Sequence, residues 1–512
     1  MKKLLRKSTS PKSEKLRIGR SFGGLKRAHV VFIVGFSLIG IGTILISHAA
    51  TSPNAKISEA ESYSSNASTT IINDTSASNG SYVQFDATPT GILTTAQGTI
   101  RYVDCNNGND NNSGTSPAQA WKTLTRANQT TLASGDAIAL MSGCSFDGQL
   151  IISQSGTSTR PIIVAAYGNG ARPKVTGNAW DGVVKLIGSY IIVDGLELHA
   201  NISSYVPAGS TCAGTASEYV LGYNLVTGAT HNTIQNSYAT GFYAGIFLES
   251  GANNNIITKN TLVDNLSEYP NNPGGNDDAG AFGIALAGDS NDVSYNQVSG
   301  NSVCSVDYGA DGSAVEVYGG SNNVIHHNTS VNNNVFSELG ESHSSNNTFA
   351  FNVVRSNLQG SMFLYTRGNG DFFGPVSNTK VYNNTAYLTA SDAEGVGCGG
   401  DCSTGILSFY NNIIWTGYRA VYSDKRFDEN NNVYWRPDGN PLVQFPSGGT
   451  MGANSKKANP LFVNPGGGDF HLQSTSPAIN GGATLSESLN LSKDFDGKSL
   501  TTPLEIGAYQ YP

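Results

Sequence analysis

The sequence predicts an all-β solenoid, in which the chain is wound into repeated coils of short strands. A six-residue motif recurs between residues 231 and 383, as in HNTIQN at 231–236 and NVIHHN at 323–328. Between the motifs lie short β-branched runs and clusters of Asn, Gly and Ser, with no helical periodicity. A unit of about two dozen residues with several short strands is typical of a solenoid coil.

The spacing of the motif indicates one coil per repeat. The intervals between the closing asparagines are 24, 36, 32, 24 and 31 residues, so the longer coils look like the shortest unit plus an insertion. Asparagine tolerates the left-handed backbone of a sharp turn, and its amide can bond to an asparagine one coil away. We therefore expect the closing residues to stack as one structural column: Asn236, Asn260, Asn296, Asn328, Asn352 and Asn383.

The N-terminal region predicts export. Residues 1–29 are strongly basic, with ten Lys/Arg and one Glu in the first 27 positions, and they precede an uncharged, mostly apolar run at residues 30–46. Because a basic flank stays on the cytoplasmic side, residues 50–512 are expected outside the cell. Residues 30–49 then form either a signal-peptide core or an uncleaved transmembrane anchor, so the protein is either secreted or tethered.

The exported part of the chain is acidic. From residue 51 onward 20 Lys/Arg stand against 37 Asp/Glu, a net charge of −17. Such a charge argues against binding to nucleic-acid phosphates and against adsorption to anionic lipid. We expect a monomer that meets the membrane only through its N-terminal segment.

Residues 50–99 are rich in Ser, Thr and Asn and are predicted to form a short stalk. The stretch SEAESYSSNASTTIINDTSASNGSYVQFD at 58–86 resembles the edges of a carbohydrate-binding β-sandwich. A complete sandwich needs about 100 residues. The stalk is therefore expected to carry only a remnant of such a module.

Both ends of the remaining chain resemble one fold family. The opening YVDCNNGNDNNSGTSPAQAWKTL (102–124) is similar to the first turns of right-handed parallel β-helix proteins of the pectate-lyase-like superfamily, and ANPLFVNPGGGDFHLQSTSPAINGG (458–482) to their closing segment. The resemblance implies a single-stranded right-handed parallel β-helix at 100–457 and a closing segment at 458–512. That fold carries lyases, hydrolases and non-catalytic surface proteins, so it does not by itself give a reaction.

Six cysteines, an even number, suit an oxidising compartment and predict disulfides, although sequence alone leaves 15 pairings open. The two cysteines of CGGDC are near enough to staple one tight loop, and no histidine lies at metal-ligand spacing from them. The favoured pairs are Cys398 with Cys402, Cys105 with Cys144, and Cys212 with Cys304.

A row of polar side chains is predicted on one outer face of the solenoid. In AVEVY the valines should face the core, which turns Glu316 and Tyr318 outward. The next coil, VFSELGE, offers Glu338, and the coil after it, MFLYTR, offers Tyr365 and Arg367. We expect these side chains to lie side by side in adjacent coils.

Loop insertions flank this row. SEYPNNPGGNDDAG at 267–280 and VCSVDYGADG at 303–312 come before the strands of the row, and GNGDFFGP at 368–375 comes after one of them. Functional residues gather on loops above a rigid scaffold. The loops are predicted to form two walls of a groove and to supply Asp277, Asp278, Asp307, Asp311 and Asp371.

Paired carboxylates on such a floor predict hydrolysis of glycosidic bonds in an extracellular polysaccharide. One protonated acid donates to the leaving oxygen while another carboxylate activates water or attacks the sugar, and retaining and inverting courses both stay open. This chemistry requires no cofactor. The predicted catalytic residues are Glu316, Glu338, Asp311 and Arg367. The predicted substrate-binding residues are Tyr318, Tyr365, Asp307, Asp371 and His326, of which His326 also fits a structural stacking column.

Two alternatives stay open. Relatives of this fold that cleave uronate polysaccharides by β-elimination use a Lys or Arg base and often Ca²⁺, which implies Arg367 as the base and Asp277 and Asp278 as calcium ligands. An acidic floor would repel a polyuronate, which weighs against this reaction. The other alternative is a non-catalytic glycan-binding or adhesive solenoid, which should show scattered carboxylates and no loop walls.

Overall fold

The computed structural model describes residues 69–73, 81–85, 91–202, 218–484 and 491–511, the first two ranges by their backbone alone. The predicted basic region 1–29, the apolar segment 30–49 and Cys212 lie outside these residues. In the described part of the chain there is no helix of sufficient length and apolar character to span a membrane.

The body of the protein is a parallel β-helix. Within the described residues, each regular coil contributes one strand to each of three parallel sheets, which contain 12, 12 and 11 strands. Every strand hydrogen-bonds to the strands of the same sheet in the coils before and after it, about 4.8 Å away. The chain therefore advances along one axis, and residues one coil apart come to lie directly above one another.

The strands fall into sheets as follows. Sheet 1 contains Ile100–Val103, Ala137–Met141, Ile162–Tyr167, Ile191–Asp194, Thr233–Gln235, Ile256–Thr258, Asp292–Ser294, Val324–His326, Thr348–Ala350, Thr379–Tyr382, Leu407–Tyr410 and Asp428–Asn430. Sheet 2 contains Ser145–Asp147, Lys174–Gly177, Glu197–Ala200, Tyr238–Thr240, Thr261–Val263, Gln297–Ser299, Thr329–Val331, Val353–Ser356, Thr385–Leu388, Ile413–Thr416, Val433–Trp435 and Lys456–Lys457. Sheet 3 contains Leu150–Ile152, Val184–Leu186, Leu221–Leu225, Ala244–Leu248, Phe282–Leu286, Ser313–Tyr318, Val335–Gly340, Met362–Arg367, Glu394–Gly399, Arg419–Ser423 and Leu442–Gln444.

Short elements accompany the two ends of the solenoid. In the stalk, Thr69–Asn73 pairs antiparallel with Ser81–Phe85. A 3₁₀ turn at Gly91–Thr95, another at Pro117–Gln119 and the α-helix Leu124–Asn128 accompany the first coils. At the other end, Phe462–Asn464 pairs antiparallel with Asp469–Leu472 around a 3₁₀ turn at Pro465–Gly467.

The interior of the coils is apolar where the strands run and amide-rich where they turn. Val315, Val298 and Ile325 stand for the inward residues of the three sheets, and each is 2% exposed or less. Between sheets 1 and 2 the turn contains a buried asparagine whose backbone N–H and side-chain amide donate to the Oδ1 of the next one, as from Asn296 to Asn328 at 2.9 and 3.0 Å. This ladder runs through Asn260, Asn296, Asn328, Asn352, Asn384, Asn412 and Asn432.

The predicted single asparagine column is wrong in one respect, because it combines two adjacent columns. Asn236 and Asn383 do not belong to the buried ladder but occupy the preceding position, with left-handed φ of 52° and 53°. Other coils place Tyr295 or His327 there with the same backbone conformation. The turn therefore divides its two requirements between neighbours, since one residue supplies the left-handed backbone and the next supplies the bridging amide.

Two more ladders close the other corners of the coils. One runs through Asn255, Asn291, Asn323 and Asn347 at the start of the sheet 1 strands. The other runs through Asn265, Asn301 and Asn333 after the sheet 2 strands. Because each amide needs its counterpart at the same height, the ladders fix the register of successive coils.

The disulfide predictions are confirmed as far as the described residues reach. Cys105 is bonded to Cys144 in the first coils, and Cys398 is bonded to Cys402 in the loop after Glu394–Gly399. Cys304 is also disulfide-bonded, and its predicted partner Cys212 lies outside the described residues.

The asparagine ladder predicts a specific stability loss. Asn352→Ala removes the acceptor of the Asn328 amide groups and leaves a buried carbonyl, Ile325 O, without its donor. We expect the free energy of unfolding in urea to fall by about 2–5 kcal/mol, since buried polar groups lose their partners. Asn357→Ala is the control, because that side chain is exposed and its replacement should cost no more than about 0.5 kcal/mol. Equal losses for the two variants would contradict the role given to the ladder.

Candidate active site

The outer face of sheet 3 carries one column of side chains that includes two glutamates. Phe247 pairs with Ala285, Ala285 with Glu316, Glu316 with Glu338, and Glu338 with Tyr365. Because paired residues lie about 4.8 Å apart, the two glutamates are direct neighbours on adjacent coils. The predicted order of side chains along this floor is confirmed.

Loops rise on both sides of this floor. The insertion after Thr261–Val263 returns to sheet 3 through a backbone bridge between Glu268 and Gly280, and the next one through a bridge between Val303 and Asp311. On the other side, the loop after Met362–Arg367 places Phe373 beside the floor. The walls and the floor enclose a cleft of about 800 Å³.

The cleft is acidic at its centre. Its wall supplies Asp277, Asp278 and Asp311, and its floor supplies Glu316 and Glu338. Among the described residues that line it, Arg367 is the one cation. The remaining lining is largely aromatic and aliphatic, which leaves the carboxyl groups as the main polar groups toward the floor.

Two tyrosine rings can lie flat on the floor because the next coil has a glycine beneath each of them. The Tyr318 ring lies against Gly340, where a Cβ would come within 2.3 Å of the ring. The Tyr365 ring lies against Gly397, where a Cβ would come within 2.5 Å. Both rings therefore lie on the backbone of the next strand and still line the cleft.

Arg367 neutralises Glu338. Its Nη2 forms an ion pair with Glu338 Oε1, its Nη1 donates to the Leu339 carbonyl at 2.9 Å, and its Nε lies 3.4 Å from Asp371 Oδ1. Burial alone would lower the pKa of Arg367, but the charge and hydrogen bond of Glu338 outweigh it and raise that pKa. Arg367 is therefore expected to stay protonated beside Glu338.

The guanidinium of Arg367 also contacts two aromatic rings. Its central carbon lies 5.3 Å from the Tyr365 ring centre and 5.2 Å from the Phe373 ring centre. Cation–π contacts of this kind hold a guanidinium in place as well as attracting it. The ion pair with Glu338 is therefore fixed between the floor and the wall.

Glu316 and Asp311, two further carboxyl groups of the cleft, have raised pKa values. Burial, followed by the charges of Glu338 and Asp311, raises the pKa of Glu316 well above its ordinary value. Burial, followed by the charge of Glu338, raises the pKa of Asp311 to about 7. Glu338, which is paired with a cation, thus lies beside two carboxyl groups with raised pKa values, Glu316 and Asp311. When their environments give neighbouring carboxyl groups different pKa values, one group can act as an acid and another as a base.

Sequence reasoning missed Glu268. The side chain is 2% exposed, and neither of its carboxyl oxygens has a hydrogen-bond partner in the part of the chain that the structure describes. Burial, followed by the charge of Asp311, raises the pKa of Glu268 to about 9. Glu268 lies in a loop insertion, and nothing in SEYPNN indicates that the wall closes over it.

Asp278 and Asp307 tie the two wall loops together. Asp278 Oδ2 accepts from Ser305 Oγ and from the Asp307 N–H, both at 2.8 Å. Asp307 accepts from the N–H groups of Gly274 and Asn276, at 2.7 and 2.8 Å. Asp278 and Asp307 therefore link the two loops through hydrogen bonds. Asp277, Asp278 and Asp307 are also near enough to share a cation, so the calcium site stays a prediction.

His326, predicted as a substrate-binding residue or as part of a stacking column, lies away from the cleft. It belongs to sheet 1, not to the floor of the cleft, and its Nε2 lies 3.1 Å from Asp292 Oδ2 while its Nδ1 lies 2.7 Å from His327 Nδ1. Its neighbour His327 stacks between Tyr295 and Phe351 under the closing segment. Asp371 contacts Arg367 and does not line the cleft. Asp307 accepts hydrogen bonds within the wall loops and does not line the cleft either. The other predicted site residues all line the cleft.

Comparisons with known proteins identify relatives of the fold. No protein-family model matches this chain. A lacto-N-biosidase of Bifidobacterium longum subsp. longum is 36% identical over 95 residues, which is 17% of this chain and only 6% of that protein. The crystal structure of the GH136 lacto-N-biosidase from Eubacterium ramulus matches with a TM-score of 0.52 at 16% identity, over 70% of this chain and 66% of that one.

A second solved structure covers more of the solenoid. Pectate lyase Pel9A matches with a TM-score of 0.54 at 18% identity, over 82% of this chain and 98% of that one. At such identities the likeness concerns the fold. Together with the three parallel sheets, it confirms the predicted fold, a right-handed parallel β-helix.

Glu268 predicts a pH-dependent stability effect. Its pKa in the folded protein, about 9, is above its ordinary value of 4.5, so the folded state binds the proton more tightly than the unfolded state. Below about pH 4.5 Glu268 is protonated in both states and does not lower the free energy of unfolding. As the pH rises toward 9 the unfolded state releases this proton first, so the free energy of unfolding falls. Glu268→Gln should unfold in urea with a free energy higher than that of the parent by about 2 kcal/mol at pH 8, and equal to it at pH 4.

The control for this effect is Glu341→Gln, which changes an exposed carboxylate near the same cleft. Its free energy of unfolding should follow the parent at both pH values. A Glu268→Gln variant that is less stable than the parent at pH 8 would show that the carboxylate is ionised and stabilising in the wall.

Proposed function

We propose that the protein is a glycoside hydrolase that acts on neutral extracellular glycans. The observation that carries this proposal is the set of three convergent carboxyl groups, Asp311, Glu316 and Glu338, of which only Glu338 is paired with a cation. Two carboxyl groups in different protonation states are what glycosidic bond cleavage requires. The likeness to lacto-N-biosidases, partial as it is, supports the same reaction class.

Asp311 is the proposed general acid. A group of pKa about 7 holds its proton in neutral solution and releases it readily, which suits proton donation to the leaving oxygen. The carboxyl gives this proton to the glycosidic oxygen as the bond between that oxygen and the anomeric carbon breaks. Asp311 lies on the wall above the floor glutamates, so it approaches the bond from the side of the loops.

Glu338 is the proposed carboxylate partner. It forms an ion pair with Arg367, and as a carboxylate it either attacks the anomeric carbon or takes a proton from the attacking water. Glu316, buried and protonated beside it, acts as a hydrogen-bond donor to the sugar and not as the acid. This differs from the sequence-based interpretation, which assigned the acid and base roles to Glu316 and Glu338.

The charge of the cleft supports a neutral substrate. A uronate would meet several carboxyl groups and a single guanidinium that Glu338 already neutralises. Asp311 adds a negative charge to this lining above about pH 7, and like charges repel in a partly buried cleft. β-Elimination would therefore find no unpaired cation for the uronate and no unpaired Lys or Arg base among the described lining residues.

The compartment follows from the sequence and the cysteines. The basic and apolar N-terminal segments support export, and the disulfides Cys105–Cys144 and Cys398–Cys402 suit an oxidising environment. We propose that residues 50–512 work outside the cell, on glycans that are present there.

The reaction class is tested with the full-length protein on lacto-N-biosides and on neutral and uronic polysaccharides. We expect new reducing ends without the ultraviolet absorbance of an unsaturated product, and the same rate in EDTA. Glu338→Gln should lower the rate by about 10²–10⁴-fold, while Glu316→Gln should retain most of it because glutamine also donates a hydrogen bond. Absorbance that requires Ca²⁺, or no loss in Glu338→Gln, would overturn the proposal.

The acid role of Asp311 is tested by pH and by leaving group. Hydrolysis by the parent should fall as the pH rises through about 7, since Asp311 then loses its proton. Asp311→Asn should remove this fall of the rate with pH. It should slow hydrolysis of an alkyl glycoside by about 10²–10⁴-fold, but slow hydrolysis of the nitrophenyl glycoside of the same sugar much less, because nitrophenolate leaves without a proton. Equal losses on both leaving groups would assign the acid to another residue.

A further inference from the structure

Three large aromatic side chains at the rims of the cleft are exposed to solvent. Tyr269 and Tyr308, on the two insertions of one wall, are 50% and 49% exposed. Phe372, on the opposite wall, is 92% exposed. Large apolar groups exposed around a cleft mark ligand contact, because their burial is left for a partner to complete. None of the three has a part in the chemistry proposed above.

One aromatic track leads from the floor to the rim on the wall that carries Tyr269. Phe282 in the floor meets Tyr243 edge-on with ring centres 5.3 Å apart, and Tyr243 lies 4.5 Å from Tyr219. Tyr219 in turn meets the exposed Tyr269 at 6.0 Å. The rings thus form a continuous surface from the apolar end of the cleft to its edge.

A second track leads to the rim on the opposite wall. The ring centre of Tyr318 in the floor lies 6.3 Å from that of Phe373, and the ring centres of Phe373 and the exposed Phe372 are 4.9 Å apart. Phe373 is held in place because the Arg367 guanidinium packs on it. The carboxyl groups Glu316 and Glu338 lie on the floor between the starting points of the two tracks.

We infer that the two aromatic tracks are sugar-binding subsites on opposite sides of the bond that is cleaved, so that the substrate is a neutral oligosaccharide or polysaccharide with several rings. Aromatic faces bind the apolar faces of sugar rings. Phe282 pairs with Ser313, and Tyr318 lies five residues further along that strand, so the starting points of the tracks are about 17 Å apart across the floor. That length accepts several rings in a row. This inference rests on the proposed function for the identity of the ligand as a glycan.

The occupant is a glycan and not a protein segment, because the tracks are separated by a strip of carboxyl groups. A peptide ligand would have to bury its backbone against Asp311 and Glu316, whereas the hydroxyl groups of a sugar can donate to both. The two exposed ends also lie on different walls, which suits a ligand that extends in both directions from the centre.

The test is binding, measured by calorimetry with the full-length protein. The probes are neutral oligosaccharides of two and six rings from the cello, xylo and N-acetylchito series. We expect a six-ring member to bind more tightly than its two-ring counterpart. Phe372→Ala and Tyr269→Ala should each lower the affinity for the six-ring probe by about fivefold to tenfold. The affinity for the two-ring probe should stay within about twofold of that of the parent.

Tyr295→Ala is the matched control. That ring is 44% exposed, but it lies beside sheet 1 and does not line the cleft, so its loss should change neither affinity. Circular dichroism of each variant checks that the solenoid is intact. Phe372→Trp should restore the affinity for six rings, because the larger ring offers the same kind of face.

The outcomes separate this inference from the proposed hydrolase. Tight binding of six rings that depends on Phe372 and Tyr269, without hydrolysis of any probe, would support the subsites and overturn the hydrolase. Hydrolysis with the same affinity for two and six rings would overturn the subsites and leave the hydrolase standing. No binding of any probe in the three series overturns the inference.

Discussion

The register between successive coils is the constraint on which the structure depends. Each buried asparagine donates to the next through both its backbone and its side chain, so a coil that slipped by one residue would leave several amides without partners. Unpaired buried amides are costly. The ladders therefore hold every strand directly above its predecessor, and this stacking places Glu316 beside Glu338.

The candidate site exploits that regularity at positions where the core makes no demand. Outward positions of sheet 3 are free to vary from coil to coil, and here the chain sets phenylalanine, alanine, two glutamates and tyrosine in sequence along the axis. Glycines in the following strands leave room for Tyr318 and Tyr365 to lie flat. A rigid scaffold thus fixes the floor, and the loops supply what the floor lacks.

Electrostatics then divides the carboxyl groups into different roles. A single guanidinium, held by two aromatic rings and a carbonyl, neutralises Glu338. Burial raises the pKa of Glu316, that of Asp311 to about 7, and that of Glu268 behind the wall to about 9. Backbone N–H groups of the wall loops donate to Asp278 and Asp307, so these hydrogen bonds tie the acidic loops together.

The sequence by itself determined the solenoid, because the asparagine spacing, the short β-branched runs and the two end motifs all express interactions between neighbouring coils. Alternation within AVEVY and VFSELGE was enough to place Glu316 and Glu338 side by side, and the insertions were enough to predict walls. Which carboxyl groups have raised pKa values could not be predicted from the sequence, because that depends on how the loops fold over the floor and on where Arg367 reaches. For the same reason the structure was needed to place His326 beside Asp292 in sheet 1, to separate the turn asparagines from the ladder and to reveal Glu268.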